Sequence, residues 1–215
     1  MDNFKMPDQI KKNAKALPVI LMLDVSGSMT GMPISTLNES VKKMLESFSK
    51  DDSANAEIQV ALVTFGGNAE IKLPLTNSSD VQWTDMVASG GTPLGSAISI
   101  VEKLVEDKEQ IPSNAYRPTI VLVSDGVPTD NWRSNFDAAL NASRFSKCHR
   151  LALGINMTEG DAAYQMLQDF VSEGEKVFLG DASEIVKFFK YVTMSVATRT
   201  KSVNPNQVPK INYDL

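Results

Sequence analysis

The chain is poor in the residues that most often carry chemistry. It has 215 residues, one cysteine and one histidine. A lone Cys148 excludes a disulfide framework within the chain, and its apolar surroundings read as a small buried hydrophobe in a strand pattern. His149, beside it at the start of that strand, has no Cys or His at ligand spacing, so zinc on nitrogen and sulfur ligands is excluded. Positive charge is also scarce. The formal net charge is −5, and basic residues gather only in pairs such as Lys11-Lys12 and Lys42-Lys43, which on helices read as solvated faces. Generic binding to nucleic acid or an anionic membrane needs a basic surface, and neither is expected. No apolar run approaches the 18 residues that suggest a membrane span, and the first residues lack the apolar core of a signal peptide. The expectation is a cytoplasmic, soluble chain.

What is present is an alternation of short apolar runs and amphipathic segments. Residues 17–23 are continuously apolar, as in a strand buried on both faces. Pro33 can open a helix whose inner face is Ile34, Leu37, Val41, Met44, Leu45 and Phe48. Residues 58–65 read as a second strand, and Gly66-Gly67-Asn68 as a turn. In residues 70–75, Ile71, Leu73 and Leu75 alternate onto one side. Pro74 places that strand at a sheet edge, and the short turn makes it antiparallel to its predecessor. A helix follows Gly90-Gly91-Thr92-Pro93, with Leu94, Ala97, Ile98, Val101, Leu104 and Val105 inward.

Residues 119–123 form the next strand, followed by a helix marked by Phe136, Ala139, Leu140 and Phe145. A strand over 150–155, a helix over 161–170 and a short strand over 176–179 come next. The last helix starts near a Ser183 cap, with Ile185, Val186, Phe189 and Val192 inward. The pattern predicts an α/β fold: a three-layer open sheet, mostly parallel with one antiparallel edge strand, and helices on both faces. The predicted organisation is an N-terminal extension over 1–16, one domain over 17–200 and a polar, extended or loosely held tail over 201–215.

In such sheets ligands bind beyond the carboxyl ends of the strands, where strand order reverses. Three segments put polar residues there: Asp24-Val25-Ser26-Gly27-Ser28, Gly90-Gly91-Thr92-Pro93 and Ser124-Asp125-Gly126. Each has an ordinary reading alone, as a turn, a loop or a helix cap. Together, Asp24, Ser26, Ser28, Thr92 and Asp125 offer two carboxylates and three hydroxyls. An all-oxygen set suits a hard cation, Mg²⁺ first, with Mn²⁺ or Ca²⁺ as alternatives.

These words in this order resemble the metal-ion-dependent adhesion site of the von Willebrand factor type A domain family. The resemblance covers about residues 17–198. Within the family, Gly31-Met32-Pro33-Ile34 and Asp125-Gly126 followed by Pro128-Thr129-Asp130 look like bacterial stand-alone members of the tellurite-resistance TerY type. The resemblance implies the sheet order 3-2-1-4-5-6. It implies that Ser26 and Ser28 ligate the metal directly, and that Thr92 does so directly in one state and through water in another. Asp24 and Asp125 would hold waters and orient the serines. It implies a non-enzymatic module, monomeric alone, that grips a Glu or Asp of a protein partner. Kinase-like or phosphatase-like proteins of stress-response or defence systems are the expected partners.

Two other readings fit the sheet less well. An aspartyl phosphohydrolase would resemble Asp-x-Asp, but Ser26 stands at the second position. A dinucleotide site would need Gly-x-Gly-x-x-Gly after the first strand, which is absent. Gly90, Gly91 and Gly95 surround Thr92, so that loop is expected to move.

Overall fold

The computed structural model describes residues 14–51, 53 and 55–208. The chain alternates strand and helix from β1 (Lys15–Asp24) and α1 (Met32–Ser49) through the hairpin β2 (Ala56–Gly66) and β3 (Asn68–Asn77) to α2 (Leu94–Glu106). It continues with β4 (Thr119–Ser124), α3 (Trp132–Asn141), β5 (His149–Ile155), α4 (Ala162–Phe170), β6 (Phe178–Gly180) and α5 (Ala182–Lys201). The strands form one sheet in the order β3-β2-β1-β4-β5-β6, parallel except for the antiparallel β2/β3 edge pair. This is the predicted α/β architecture.

Strand alternation divides the core. Leu17, Val19, Leu21 and Leu23 of β1 point to one face, where they join Leu37 and Val41 of α1 and Ile185, Phe188 and Val192 of α5. Ile20 and Met22 point to the other face, covered by Ile98 and Val101 of α2, Phe136 of α3 and Leu167 of α4. Residues on both faces of β1 and β4 are buried, which is why their sequences run continuously apolar.

Several local expectations fail for identifiable reasons. Leu73 packs with one core and Leu75 with the other, while Ile71 is 46% exposed. Register shifts in the β2/β3 ladder put extra residues into β3 on either side of Leu73, so simple alternation is lost around Pro74. Phe145 lies beyond α3 in a separate 3-10 turn, and Leu140 of that helix is exposed. On α5, Val186 faces solvent and Phe188 takes the inward place. That helix is capped by Asp181, which accepts from the Ser183 amide and hydroxyl, rather than by Ser183 itself. Cys148 sits in the turn before β5, not in the strand.

The first part of the tail is held, not loose. The fully buried Arg199 donates to the Pro205 carbonyl, the Thr119 hydroxyl and the Arg117 carbonyl, and the Asn206 side chain accepts from the Arg117 amide. At the other end, Lys15 and Ala16 already pair with β2, so part of the expected extension belongs to the sheet. The Lys11-Lys12 pair lies outside the described residues.

Candidate metal centre

The central strands β1 and β4 end side by side at the point where strand order reverses, because β1 pairs with β2 on one side and β4 on the other. β1 delivers Asp24, and its register partner Phe65 stands one residue before the end of β2. Asp24 is fully buried. One carboxylate oxygen accepts from the Ser26 amide at 2.8 Å and the other from the Ser124 hydroxyl at 2.6 Å. Both oxygens are thus engaged, and the carboxylate ties the β1 loop to the end of β4.

Ser26 and Ser28 place their hydroxyls 3.0 Å apart, and the Ser28 hydroxyl donates to Asp125 Oδ1 at 2.8 Å. Ser26 is buried, Asp125 half-buried and Ser28 exposed, so the cluster opens to solvent on the Ser28–Asp125 side. Residues 27–29 form a 3-10 turn that brings the second serine back beside the first. In an octahedron with metal–oxygen distances near 2.1 Å, neighbouring ligands stand about 3 Å apart. The hydroxyl and carboxylate oxygens are already spaced at that edge length, with hydrogen bonds where a cation would lie between them. The donor set therefore fits a hard divalent ion.

Thr92, 6% exposed, stands at the start of α2 on a loop tied to the serine loop through the backbone. Gly27 N donates to Gly90 O at 2.9 Å, Ser89 N to Val25 O at 2.7 Å, and Gly67 N to Gly91 O at 2.8 Å. Gly90 has φ +74°, and a Cβ there would meet the Gly67 Cα at 2.5 Å, so this crossing of loops needs glycine. Thr92 is also clasped from the β4 side. Its amide donates to the Thr129 hydroxyl at 3.1 Å, and its carbonyl accepts from the Thr129 amide at 2.9 Å. The glycines read as hinges in the sequence are, in this structure, the means of close contact.

Burial pushes the Asp24 carboxyl above its ordinary range, partly offset by the Ser124 and Ser26 hydrogen bonds, and Asp125 adds like charge. Burial also raises Asp125, against its Ser28 hydrogen bond. Among the described residues, no Lys, Arg or His pairs with either group. Two acids held high without a cationic partner are a place where a divalent ion would be electrostatically welcome. Nor do three or more His, Cys, Asp or Glu gather anywhere among the described residues. The hydroxyls are what complete this cluster.

All five sequence-derived residues thus stand on three loops of one sheet edge. Sequence reasoning missed the supports. Ser124 was read only as part of a word, yet it holds Asp24. Thr129 clasps Thr92. Asp130 caps α2 from outside, accepting from the Gly95 and Ser96 amides at 2.9 Å each and from the Ser96 hydroxyl at 3.1 Å. Asp130 lies 34 residues from the helix start it caps, and no local pattern connects them.

A family model described as the von Willebrand factor type A domain matches residues 19–127, half of the chain. Inter-alpha-trypsin inhibitor heavy chain H4 of Bos taurus is 28% identical over 171 residues, covering 72% of this chain and 17% of the relative. The chain thus spans a small fraction of that relative's length. Among solved structures, the von Willebrand factor domain of a type V pili tip protein from Porphyromonas gingivalis superposes with TM-score 0.67 at 11% identity, covering 93% of this chain and 99% of that one. A proximal thread matrix protein from the mussel byssus, described with zinc in its MIDAS motif, gives TM-score 0.62 at 15% identity over 86% of this chain and 46% of that one.

Proposed function

The chain belongs to the von Willebrand factor type A domain family, and from that premise we propose that it is a metal-dependent protein-recognition module. Domains of this family commonly mediate metal-dependent protein interactions and are typically not enzymes. The observation that carries the reading is the spacing of the Ser26, Ser28 and Asp125 oxygens at the open side of the cluster.

Ser26, Ser28 and Thr92 hold the cation, and Asp24 and Asp125 supply charge and orientation. Asp24 fits that supporting role because both of its oxygens are occupied by Ser26 and Ser124. When bound, the ion would supply a Lewis-acidic position beside the neutral hydroxyls of Ser26, Ser28 and Thr92, suited to a Glu or Asp of a partner. Mg²⁺ is the expected occupant, given a donor set of oxygen alone, with Mn²⁺ or Ca²⁺ able to replace it. The zinc in the mussel protein's motif supports the view that this fold holds divalent ions at such a position.

The remaining points follow the TerY-like words of the sequence. The module works in the cytoplasm of a bacterium, in a stress-response or tellurite-resistance system, with a kinase-like or phosphatase-like partner. No helix among the described residues is long and apolar enough to cross a membrane, which is compatible with that setting.

A pull-down from a bacterial lysate in Mg²⁺ or in EDTA, with wild-type and Ser26→Ala bait, tests the reading. A partner retained only by wild type and only with Mg²⁺ is expected. Equal retention in EDTA or by Ser26→Ala would reject metal-dependent recognition.

A further inference from the structure

The opposite end of the sheet carries a groove of a different character. Before β4 and before β5 the chain forms a groove of about 470 Å³, lined in part by Tyr116, Arg117, Arg144, Lys147 and Asn206. Strand β4 separates it from the metal loops. Six residues of strand span about 20 Å, so the two ends are distinct surfaces.

Charge is concentrated here against the chain's overall balance of −5. Arg117, Arg144 and Lys147 line the groove, and among the described residues no carboxylate does. Arg150 and Arg199 are buried nearby, and the positive charge of Arg117 bears on both. Burial above all, then Arg117, lowers Arg199 to about 10. None of these five cations has an ion-pair partner among the described residues. Arg150 and Arg199 are satisfied by neutral groups, mostly backbone carbonyls. Glu106 feels the Arg144 charge, but its carboxylate is taken up by the Arg144 and Phe145 amides and the Ser143 hydroxyl.

Arg144 adds a more specific sign. Its Nη2 donates to the Ile111 carbonyl at 2.6 Å, which fixes the guanidinium plane. Among the described residues its Nη1, shielded from solvent, has no hydrogen-bond partner. An unmatched guanidinium donor costs free energy, and a shift of the side chain toward the groove would let an anion there match it. Arg117 is fixed as well, because its Nε donates to the Lys147 carbonyl and its amide to the Asn206 side chain. The folded-back tail, held by Arg199, thus supplies one wall of the groove.

We propose that this groove binds an acidic peptide segment of a protein partner, with Arg117, Arg144 and Lys147 receiving its carboxylate or phosphate groups. Planar guanidinium groups fixed by carbonyls suit forked recognition of such anions. Tyr116 and the tail give the groove walls that a short peptide can fill. A nucleic-acid backbone or lipid surface would instead need basic residues spread over a wide face, on a chain whose net charge is negative. This site makes no use of a metal and stands apart from the reading of the Asp24 cluster.

Fluorescence anisotropy with labelled eight-residue peptides tests it, all in EDTA so that the metal site is silent. One peptide is rich in Asp and Glu, one carries phosphoserines and one is the uncharged Gln/Ser counterpart. Both acidic peptides are expected to bind, the tighter of the two identifying carboxylate or phosphate as the anion. Affinity should fall about tenfold in Arg117→Gln/Lys147→Glu, whose side chains lie at the surface, and should weaken as salt rises. Ser28→Ala should leave it unchanged, and the double variant should still bind Mn²⁺. Binding of the neutral peptide as tightly as the acidic ones would overturn the proposal. So would affinity indifferent to the double variant, or tighter binding of oligo-dT or phosphatidylserine vesicles than of either acidic peptide.

Discussion

Ser28 is the residue on which the proposed metal centre turns. Its hydroxyl is the exposed link between Ser26 and Asp125, and it has no core packing to lose. Ser28→Ala should therefore abolish high-affinity divalent-ion binding while moving the melting temperature of the metal-free protein by no more than about 2 °C. A calorimetric titration and a melting curve check the two halves. Cys148 makes the contrasting case of a reactive residue type without a reactive role. Burial pushes its thiol up to about 12, and it is 2% exposed. Native protein at pH 8 should consume no thiol reagent over minutes, and one equivalent after unfolding.

The placing of the five oxygen-bearing residues on loops of one sheet edge was legible because the chain writes them in short words, two after strands and one at a helix start. Their supports were not, because Ser124, Thr129 and Asp130 act across loops far apart in sequence. An Asp after a turn gives no sign of which helix it will cap.

At the level of elements, α2 and the loop before it decide where Thr92 stands. Asp130 provides the anionic cap that the helix's own Pro93 lacks. Asp130→Ala should cost about 1–2 kcal/mol in denaturant unfolding and weaken metal binding several-fold by loosening Thr92. Unchanged metal affinity would mean that Thr129 alone holds that loop. On α5, amphipathic periodicity identified the helix and buried Ile185, Phe189 and Val192, but it turned Val186 inward and left out Phe188. Phe188 is fully buried and Val186 is 49% exposed. Phe188→Ala should destabilise by about 3–5 kcal/mol and Val186→Ala by under 0.5 kcal/mol. The misreading has a physical source: both residues are apolar, and tertiary packing, such as that of the Phe188 ring on Phe178 of β6, selects between them. Edge strand β3 misled in another way, since bulges beside Leu73 break a pattern that sequence spacing alone makes regular.

For the whole molecule, the fold sets two buried or half-buried acids at one end of the sheet and, at the other, cations without an ion-pair partner among the described residues. At the metal end the sign of the pH dependence follows directly. Asp24 and Asp125 have folded-state pKa values raised above their unfolded ones, so these two groups hold more protons in the metal-free folded chain than in the unfolded chain. Their contribution to metal-free stability is greatest below the ordinary carboxylate range and is lost as pH rises through the raised values. A bound divalent ion needs the ionised forms. The stabilisation by saturating Mg²⁺ should be largest near neutral pH and shrink as pH falls through the raised values, as thermal unfolding at several pH values would register. A shift that grows on acidification would contradict this electrostatic picture.

The antiparallel edge was legible from alternation, Pro74 and the short turn, whereas the strand order came only from the family resemblance. The basic groove was not. It is assembled by Arg117, Arg144 and Lys147 from separate loops and by a tail whose polar composition gave no sign of docking.

The most direct test of the central claim is a Mn²⁺ titration followed by electron paramagnetic resonance of the free ion, with wild type beside Ser28→Ala and Asp125→Ala. The account predicts one tight site per wild-type chain, displaced by Mg²⁺ and lost in both variants. No tight site in wild type, or the same site retained in the variants, would contradict it.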